Sequence, residues 1–461
     1  MPLPAIDQID QLLHAELVAL VKTLIVEVQR LRIENLELKA EIEKLRKPPA
    51  SSGNSSLPPS RDQKRNIKGK RRKKHGPRYG HQRAIRPLVD DPDQVIEATV
   101  ERCEHCQIGL EGVPPEKILR HQITELPPIT PVVIETRQHE VICPQCQRVN
   151  RGVLPEELDL SGSFGPRLSA VGVYLKHEQH IGYKRVRLAL KDLFGVSISE
   201  GGLDRLLREA GLAAQVVAEE IRKQVVTSEI IGSDETSARV KGRNCWEWVL
   251  VSARGIFHAI RPTRSASVIE ELMGDNRVSC WVCDCYGAQL KAPADHFQLC
   301  LAHQLRDLKR LIETCPRFEW AVEMQKLFRA AIHLWNQKES LTIDQYVSKA
   351  MRMEDRLDRL LEWRLIGKDA LRLQQRFIKH RDHLFTFLQY PGVEPTNNAC
   401  ERALRPSVIH RKVINGFRSE WGAHAYAALR TISSTASQQG KRFFDELAAL
   451  FGPQILKPIL N

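Results

Sequence analysis

Residues Val225–Asp234 read VVTSEIIGSD, a run rich in β-branched side chains that closes on a carboxylate. Such a run, broken by a Gly-Ser pair just before the acid, predicts a strand over 225–234 with Asp234 at its end. Two more strands are expected at Cys245–Ser252 and Ile256–Arg261. The first alternates through Trp246, Trp248 and Leu250, and a tight Ala-Arg-Gly turn joins it to the second. Ser265–Met273 reads as a short helix with Val268, Ile269 and Leu272 on its apolar face. Val278–Cys283 (VSCWVC) then reads as a fourth strand, which delivers Asp284 at its C-terminal end.

Strand with acid, two strands, helix, strand with acid is the element order of a ribonuclease-H-like core, an α/β fold in which the first and fourth strands lie side by side. That adjacency would bring Asp234 and Asp284 together. Two carboxylates at neighbouring strand ends repel unless a divalent cation neutralises them, and hard oxygen ligands select Mg²⁺ or Mn²⁺. A third acid would complete a two-metal site for in-line phosphoryl displacement. Glu401 is the candidate, within TNNACERALRP (Thr396–Pro406). Alone, a Glu beside Arg402 and Arg405 at a helix start fits a solvated i,i+4 pair equally well. Taken with the two aspartates it acquires a partner set: Arg402 or Arg405 to neutralise phosphate charge, and Asn397 or Asn398 to position Glu401 or the DNA.

The 117-residue step from Asp284 to Glu401 is too long for a bare core of this kind. Residues 302–390 carry helical periodicity almost throughout, with Trp320, Trp335 and Trp363 available for packing, so a helical insertion is expected, as a lid over DNA ends or a dimer contact.

Upstream, Cys103-Glu-His-Cys106 and Cys143-Pro-Gln-Cys146 flank a segment rich in Val, Ile and Thr (Gln122–Ile142). Four thiolates from two such turns can close a tetrahedral Zn²⁺ shell with no open position, a structural site in a small β-module. The 36 residues between the pairs exceed the spacing of a minimal ribbon. Three helical stretches follow from Phe164: PRLSAVGVYLKHEQH, YKRVRLALKDLF and SEGGLDRLLREAG, with a turn at Gly195 and an N-cap at Ser197–Ser199. A DNA-binding helix-turn-helix and a structural helical bundle both fit them.

At the N-terminal end Leu recurs at 17, 24, 31, 38 and 45, with His14, Val21, Val28, Asn35 and Ile42 three positions before each. Leu at d with β-branched residues and one Asn at a favours a parallel two-stranded coiled coil, hence a homodimer. A Ser/Pro-rich linker follows. From Arg61 to Arg86 twelve Lys or Arg, among them Arg71, Arg72, Lys73 and Lys74, face one acid, Asp62, which reads as an arm that tracks phosphates without reading sequence. The net charge of +13 points to the same polyanionic partner. No apolar run of membrane-spanning length and no signal pattern are present, which places the chain in the cytoplasm, associated with the nucleoid. CxxC pairs in that reducing compartment suit metal rather than disulfides.

The expected organisation is a leucine-zipper coiled coil (5–47), linker and basic arm (48–90), Cys₄ zinc module (91–155), helical DNA-binding segment (160–222), first part of the core (223–300), helical insertion (301–391), and second part of the core with C-terminal helices (392–461).

Over nearly its whole length the chain resembles a transposase of the insertion sequence 66 family, a group of bacterial DDE transposases. The resemblance is carried by the zipper and Asn54-Ser-Ser-Leu-Pro-Pro-Ser60, the basic stretch ending Gly80-His81, the CxxC pairs, Phe164-Gly165-Pro166, Ser233-Asp-Glu-Thr236, Asp284-Cys-Tyr286, Cys300-Leu-Ala-His303, and Asn397 to Pro406 with Arg411-Lys412. It implies Asp234, Asp284 and Glu401 as the catalytic triad, DNA contacts that include Arg402, Arg405, Arg411 and Lys412, structural roles for Cys300 and His303, and small accessory proteins. Cys285 departs from the Gly commoner after the second Asp, which bears on the local loop. The expected activity is metal-dependent cleavage and strand transfer of double-stranded DNA. A simple nuclease of the same fold and a catalytically silent DNA-binding regulator are the rivals.

Overall fold

Two short strands, β1 (Glu140–Ile142) and β2 (Val149–Arg151), pair antiparallel around the second CxxC turn. They are the only strands of the Cys-rich region among the described residues. The Val/Ile/Thr run from Gln122 therefore contributes a strand only at its very end, because no second layer covers it and its apolar side chains stay exposed. The computed structural model describes residues 18–19, 21–31, 34, 86–154, 162–314, 318–390 and 392–452.

The main sheet has five strands: β3 (Ile230–Val240), β4 (Arg243–Ser252), β5 (Gly255–Arg261), β6 (Val278–Cys283) and β7 (Ala294–Leu299), in the order β5-β4-β3-β6-β7. β3 to β5 form an antiparallel meander, while β3, β6 and β7 run parallel. A parallel strand covered on both faces reads as a continuous apolar run, and β6 is buried at five of its six positions. β7 (ADHFQL) lacks that signature and has no counterpart among the sequence expectations.

The first strand also departs from expectation. Val225 and Val226 close a 27-residue helix and are buried on its inner face, so β3 begins only at Ile230 and runs on past Asp234 to Val240. Asp234 thus lies within the strand, at the point where β3 leaves β6 and continues against β4 alone.

Three helices precede the sheet: α1 (Pro166–His177), α2 (Tyr183–Phe194) and α3 (Glu200–Val226). The Ser199 side chain caps α3 by accepting from the Gly202 N–H at 2.9 Å. The stripe Leu203, Leu206, Ala210, Ala214, Ala218 is buried, and α3 packs against β5 and a C-terminal helix. At Gly211 that approach is closest, since a Cβ there would lie 2.5 Å from Ala425 Cβ. The inner face of the third helix is thus spent on the sheet domain. After β5, α4 (Ala266–Met273) crosses to β6.

The insertion comprises α5 (Leu301–Thr314), α6 (Glu319–Asn336), α7 (Ile343–Leu361), α8 (Lys368–Lys379) and α9 (Thr386–Gln389). Trp320 is buried and donates to the Leu360 carbonyl at 2.9 Å, and Phe328 packs edge-on against Phe377 and Phe385. Trp335 is half-buried and Trp363 is exposed. The segment leaves and rejoins the sheet domain at one place: Leu301 N donates to Pro395 O at 2.9 Å, and Asn397 N to Cys300 Sγ at 3.2 Å.

Then α10 (Asn398–Ile414) lies along β3, followed by α11 (Glu420–Gln438) and α12 (Phe443–Ala449). On α11, Thr431 and Thr435 accept the N–H groups of His258 and Ile256, one helical turn matching two strand residues. This covers the open side of edge strand β5.

Near the N-terminus residues 18–19, 21–31 and 34 are helical, with Val21, Leu24, Val28 and Leu31 exposed. The remaining zipper positions, Asn35 included, lie outside the described residues, as do the linker and Arg71, Arg72, Lys73 and Lys74.

Candidate active site

The register of β3 on β6 pairs Ile230 with Cys280, Ile231 with Trp281 and Gly232 with Val282. Continued for two residues, it brings Asp234 level with Asp284, as the expected adjacency of these strands required. The Asp234 carboxylate accepts the Glu235 N–H at 2.9 Å, and Asp284 accepts the Tyr286 N–H at 2.9 Å, so each acid is fixed by its own loop. Burial, then the charges of Glu235, Asp284 and Glu401, push the Asp234 carboxyl up to about 8.

Glu401 reaches this corner because α10 is anchored to β3 at both ends. Buried Asn397, the N-cap, donates its side-chain amide to Ser233 O at 2.7 Å. At the far end Phe417 N donates to Arg239 O at 2.7 Å and Phe417 O accepts from Lys241 N at 2.9 Å. The seven strand steps from Ser233 to Val240, at about 3.3 Å each, and the sixteen helix steps of α10, at about 1.5 Å each, both span roughly 24 Å. Strand and helix therefore stay in step from one anchor to the other.

Two residues of α5 face Glu401. Arg306 Nη2 donates to Glu401 Oε1 at 3.0 Å, and His303 Nε2 stands 3.9 Å from the same oxygen. Burial and then Arg306 hold His303 below its ordinary value, favouring a neutral ring. The Cys300 thiol accepts the Asn397 N–H, so it fixes the root of the insertion and the cap of α10 together.

On the other flank Glu235 is buried and accepts from Arg264 Nε at 2.6 Å and from Gln289, whose Oε1 in turn accepts Trp281 Nε1 at 3.0 Å. The Arg264 guanidinium lies 3.7 Å from the Tyr286 ring centroid and 4.9 Å from that of Trp246. Arg264 thereby braces the loop after Asp284. The sequence offered no cue to Arg306 or to this Glu235–Arg264–Gln289 set, whose members are joined only by the tertiary fold.

Of the expected DNA contacts, Arg402, Arg405 and Lys412 are exposed on α10, whereas Arg411 donates to the Ser237 hydroxyl at 2.7 Å and to its carbonyl. The two CxxC turns are built alike. Cys103 O and Cys143 O accept the N–H of Gln107 and Gln147, both glutamines have positive φ (60° and 56°), and main-chain N–H groups of the turn lower the Cys103 and Cys143 thiols. Among the described residues, however, no three His, Cys, Asp or Glu side chains are gathered closely enough to hold one metal ion, and this covers both the four thiols and the three carboxylates.

A family model described as the transposase IS66 family matches residues 161–425, more than half of the chain, from α1 through the first turns of α11. The chain belongs to that family. No curated protein matches it. As a transposase it acts on DNA, and the matched region contains Asp234, Asp284, Glu401 and the whole helical insertion. No helix among the described residues is long and apolar enough to cross a membrane.

Proposed function

We propose that this transposase uses Asp234, Asp284 and Glu401 to cut the ends of a bacterial insertion sequence and join them to target double-stranded DNA. The observation that carries the reading is the register of β3 on β6, which sets the two aspartates level, with Glu401 tied to the residue before Asp234. The strand order, an antiparallel meander with its first strand parallel to the fourth, supports a ribonuclease-H-like core split by a helical insertion.

The donor set fits hard divalent cations. Three carboxylates converge with one of them pushed toward protonation, and one cation, Arg306, is turned onto Glu401. Uncompensated carboxylates repel, which accounts for their standing apart in the metal-free chain. Mg²⁺ or Mn²⁺ held by these acids would supply charge neutralisation at the phosphate and a more acidic attacking oxygen. The chain's own residues do the rest. Asn397 fixes where Glu401 stands, Arg306 and His303 set its direction, and Arg264 offers positive charge beside Asp284. Hydrolysis exposes a 3′-hydroxyl, whose attack on a target phosphodiester forms the new strand bond and releases a target 3′-hydroxyl.

Around this core we assign a structural Zn²⁺ to Cys103, Cys106, Cys143 and Cys146, supported by the matched turns. The N-terminal heptads would form a homodimer, and the basic arm with Arg402, Arg405, Arg411 and Lys412 would track the DNA backbone, in the cytoplasm and with small accessory proteins. A nuclease that cuts without joining is the competing reading. Pre-cleaved ends incubated with target DNA and Mg²⁺ separate the two: joined products are expected, and cleavage of uncut ends without any joining overturns strand transfer.

A further inference from the structure

Beside Asp284 lies a cleft of about 260 Å³, floored by the loop after β6, walled by α5 and closed by α8 of the insertion. Three of the buried side-chain atoms that lack a hydrogen-bond partner line this one cleft: His303 Nδ1, Gln304 Oε1 and Arg376 Nε. A buried polar atom without a partner is costly and rare, so three in one place mark a space built for a polar ligand. Gln304 is 1% exposed, and its amide nitrogen is held by Cys285 Sγ at 3.3 Å, which directs Oε1. Arg376 binds Asp307 Oδ2 through Nη2 at 2.6 Å, which leaves Nε and the second Asp307 oxygen for another partner.

The chemistry of the lining narrows the ligand. Arg264 and Arg376 repel a bare cation, while Asp307 and Gln304 Oε1 are acceptors that disfavour a bare anion. A flat group that carries both donors and acceptors along one edge suits Gln304 Oε1, Arg376 Nε and Asp307, and the cleft opens at Asp284 onto the place proposed for the scissile phosphate. We infer that this cleft receives the base of the nucleotide adjoining that phosphate, swung out of the duplex, its hydrogen-bonding edge read by Gln304, Asp307 and Arg376. The inference rests on the reading of Asp284 as part of the active site. It gives the insertion a direct task, since Arg376 belongs to α8. Enzymes that reach into a duplex commonly extrude a nucleotide in this way, and the unstacking selects deformable sequence at the cut.

The test uses the full chain and duplexes carrying the element's ends, with 2-aminopurine placed at successive positions on both sides of the cut. Binding is followed by anisotropy and unstacking by fluorescence, without divalent metal. One position next to the phosphate should brighten, and Gln304→Leu and Arg376→Gln should each reduce the brightening per bound duplex roughly tenfold, the effect of losing one such hydrogen bond. Should a variant fail to fold, wild-type protein still decides, because an abasic residue at the brightening position should speed cleavage while one elsewhere does not. If the duplex is bound and cut once Mg²⁺ is added, yet no position brightens, the pocket assignment is overturned and the active-site reading stands. If no end is cut at all, both fall.

Discussion

The side-chain amide of Asn397 donates to the carbonyl of Ser233 at 2.7 Å, which ties the helix carrying Glu401 to the residue before Asp234. Asn397→Leu removes the tether without adding charge. Cleavage should fall by roughly a hundredfold, the scale set by misplacing a reacting group by about 1 Å, while helical content stays intact. Single-turnover cleavage alongside circular dichroism checks this, and a wild-type rate would mean that Glu401 needs no such anchor.

Neutralising the acids probes the centre itself. Asp234→Asn, Asp284→Asn and Glu401→Gln should each lower cleavage by several orders of magnitude while end binding, which rests largely on phosphate contacts elsewhere, changes little. Normal cleavage by the Glu401 variant would remove it from the site.

For the Cys-rich region, elemental analysis of protein purified under reducing conditions should return about one zinc per chain. Chelation should unfold residues 91–155 before the sheet domain, as limited proteolysis would reveal. Zinc-free protein with an intact Cys region would reject the assignment.

Acid should loosen the contact between α1 and the C-terminal helices. His410 stacks on Tyr426 at 4.3 Å between ring centroids and meets His180 Nδ1 at 3.2 Å, with His177, Lys176, Arg430 and Glu178 around them. Burial, then His180, Lys176 and Arg430, lower His410 from 6.5 to about 3. A histidine whose folded value is depressed contributes its stability above about 6.5 and loses it as pH falls toward 3. Between about pH 7.5 and pH 5 this amounts to about 2 kcal/mol. His410→Phe keeps the stack and removes the proton, so its urea midpoint should fall less over that range. An acid limb as steep as that of wild type would place the sensitivity elsewhere.

Much of the sheet was legible because its strands obey simple patterns. Trp246, Trp248 and Leu250 alternate, VSCWVC is apolar throughout, and each aspartate stands where a pattern ends. The boundary at Val225 was misread because two valines on the inner face of a helix look like the start of a strand. β7 was invisible because a paired edge strand need not be apolar. Arg306, Arg264 and Gln289 escaped because their partners lie 95, 29 and 54 residues away, and nothing local marks such a pairing. Glu401 could be nominated from its neighbours, but its anchor on Ser233, 164 residues upstream, could not.

The hydrogen bonds that pinch the insertion at Leu301–Pro395 and Cys300–Asn397 make it a detachable module. Its two stems meet, and α10 takes its position from β3, so the spacing of the three acids owes little to what hangs between the stems. Closing a longer loop costs only slowly more entropy. Such an architecture lets the intervening helices be shortened, lengthened or exchanged among transposases while the acids keep their places. Replacing them by a short turn in this chain would spare the acids and remove the wall that Arg376 provides, so the geometry of the cut and the choice of where to cut can change independently.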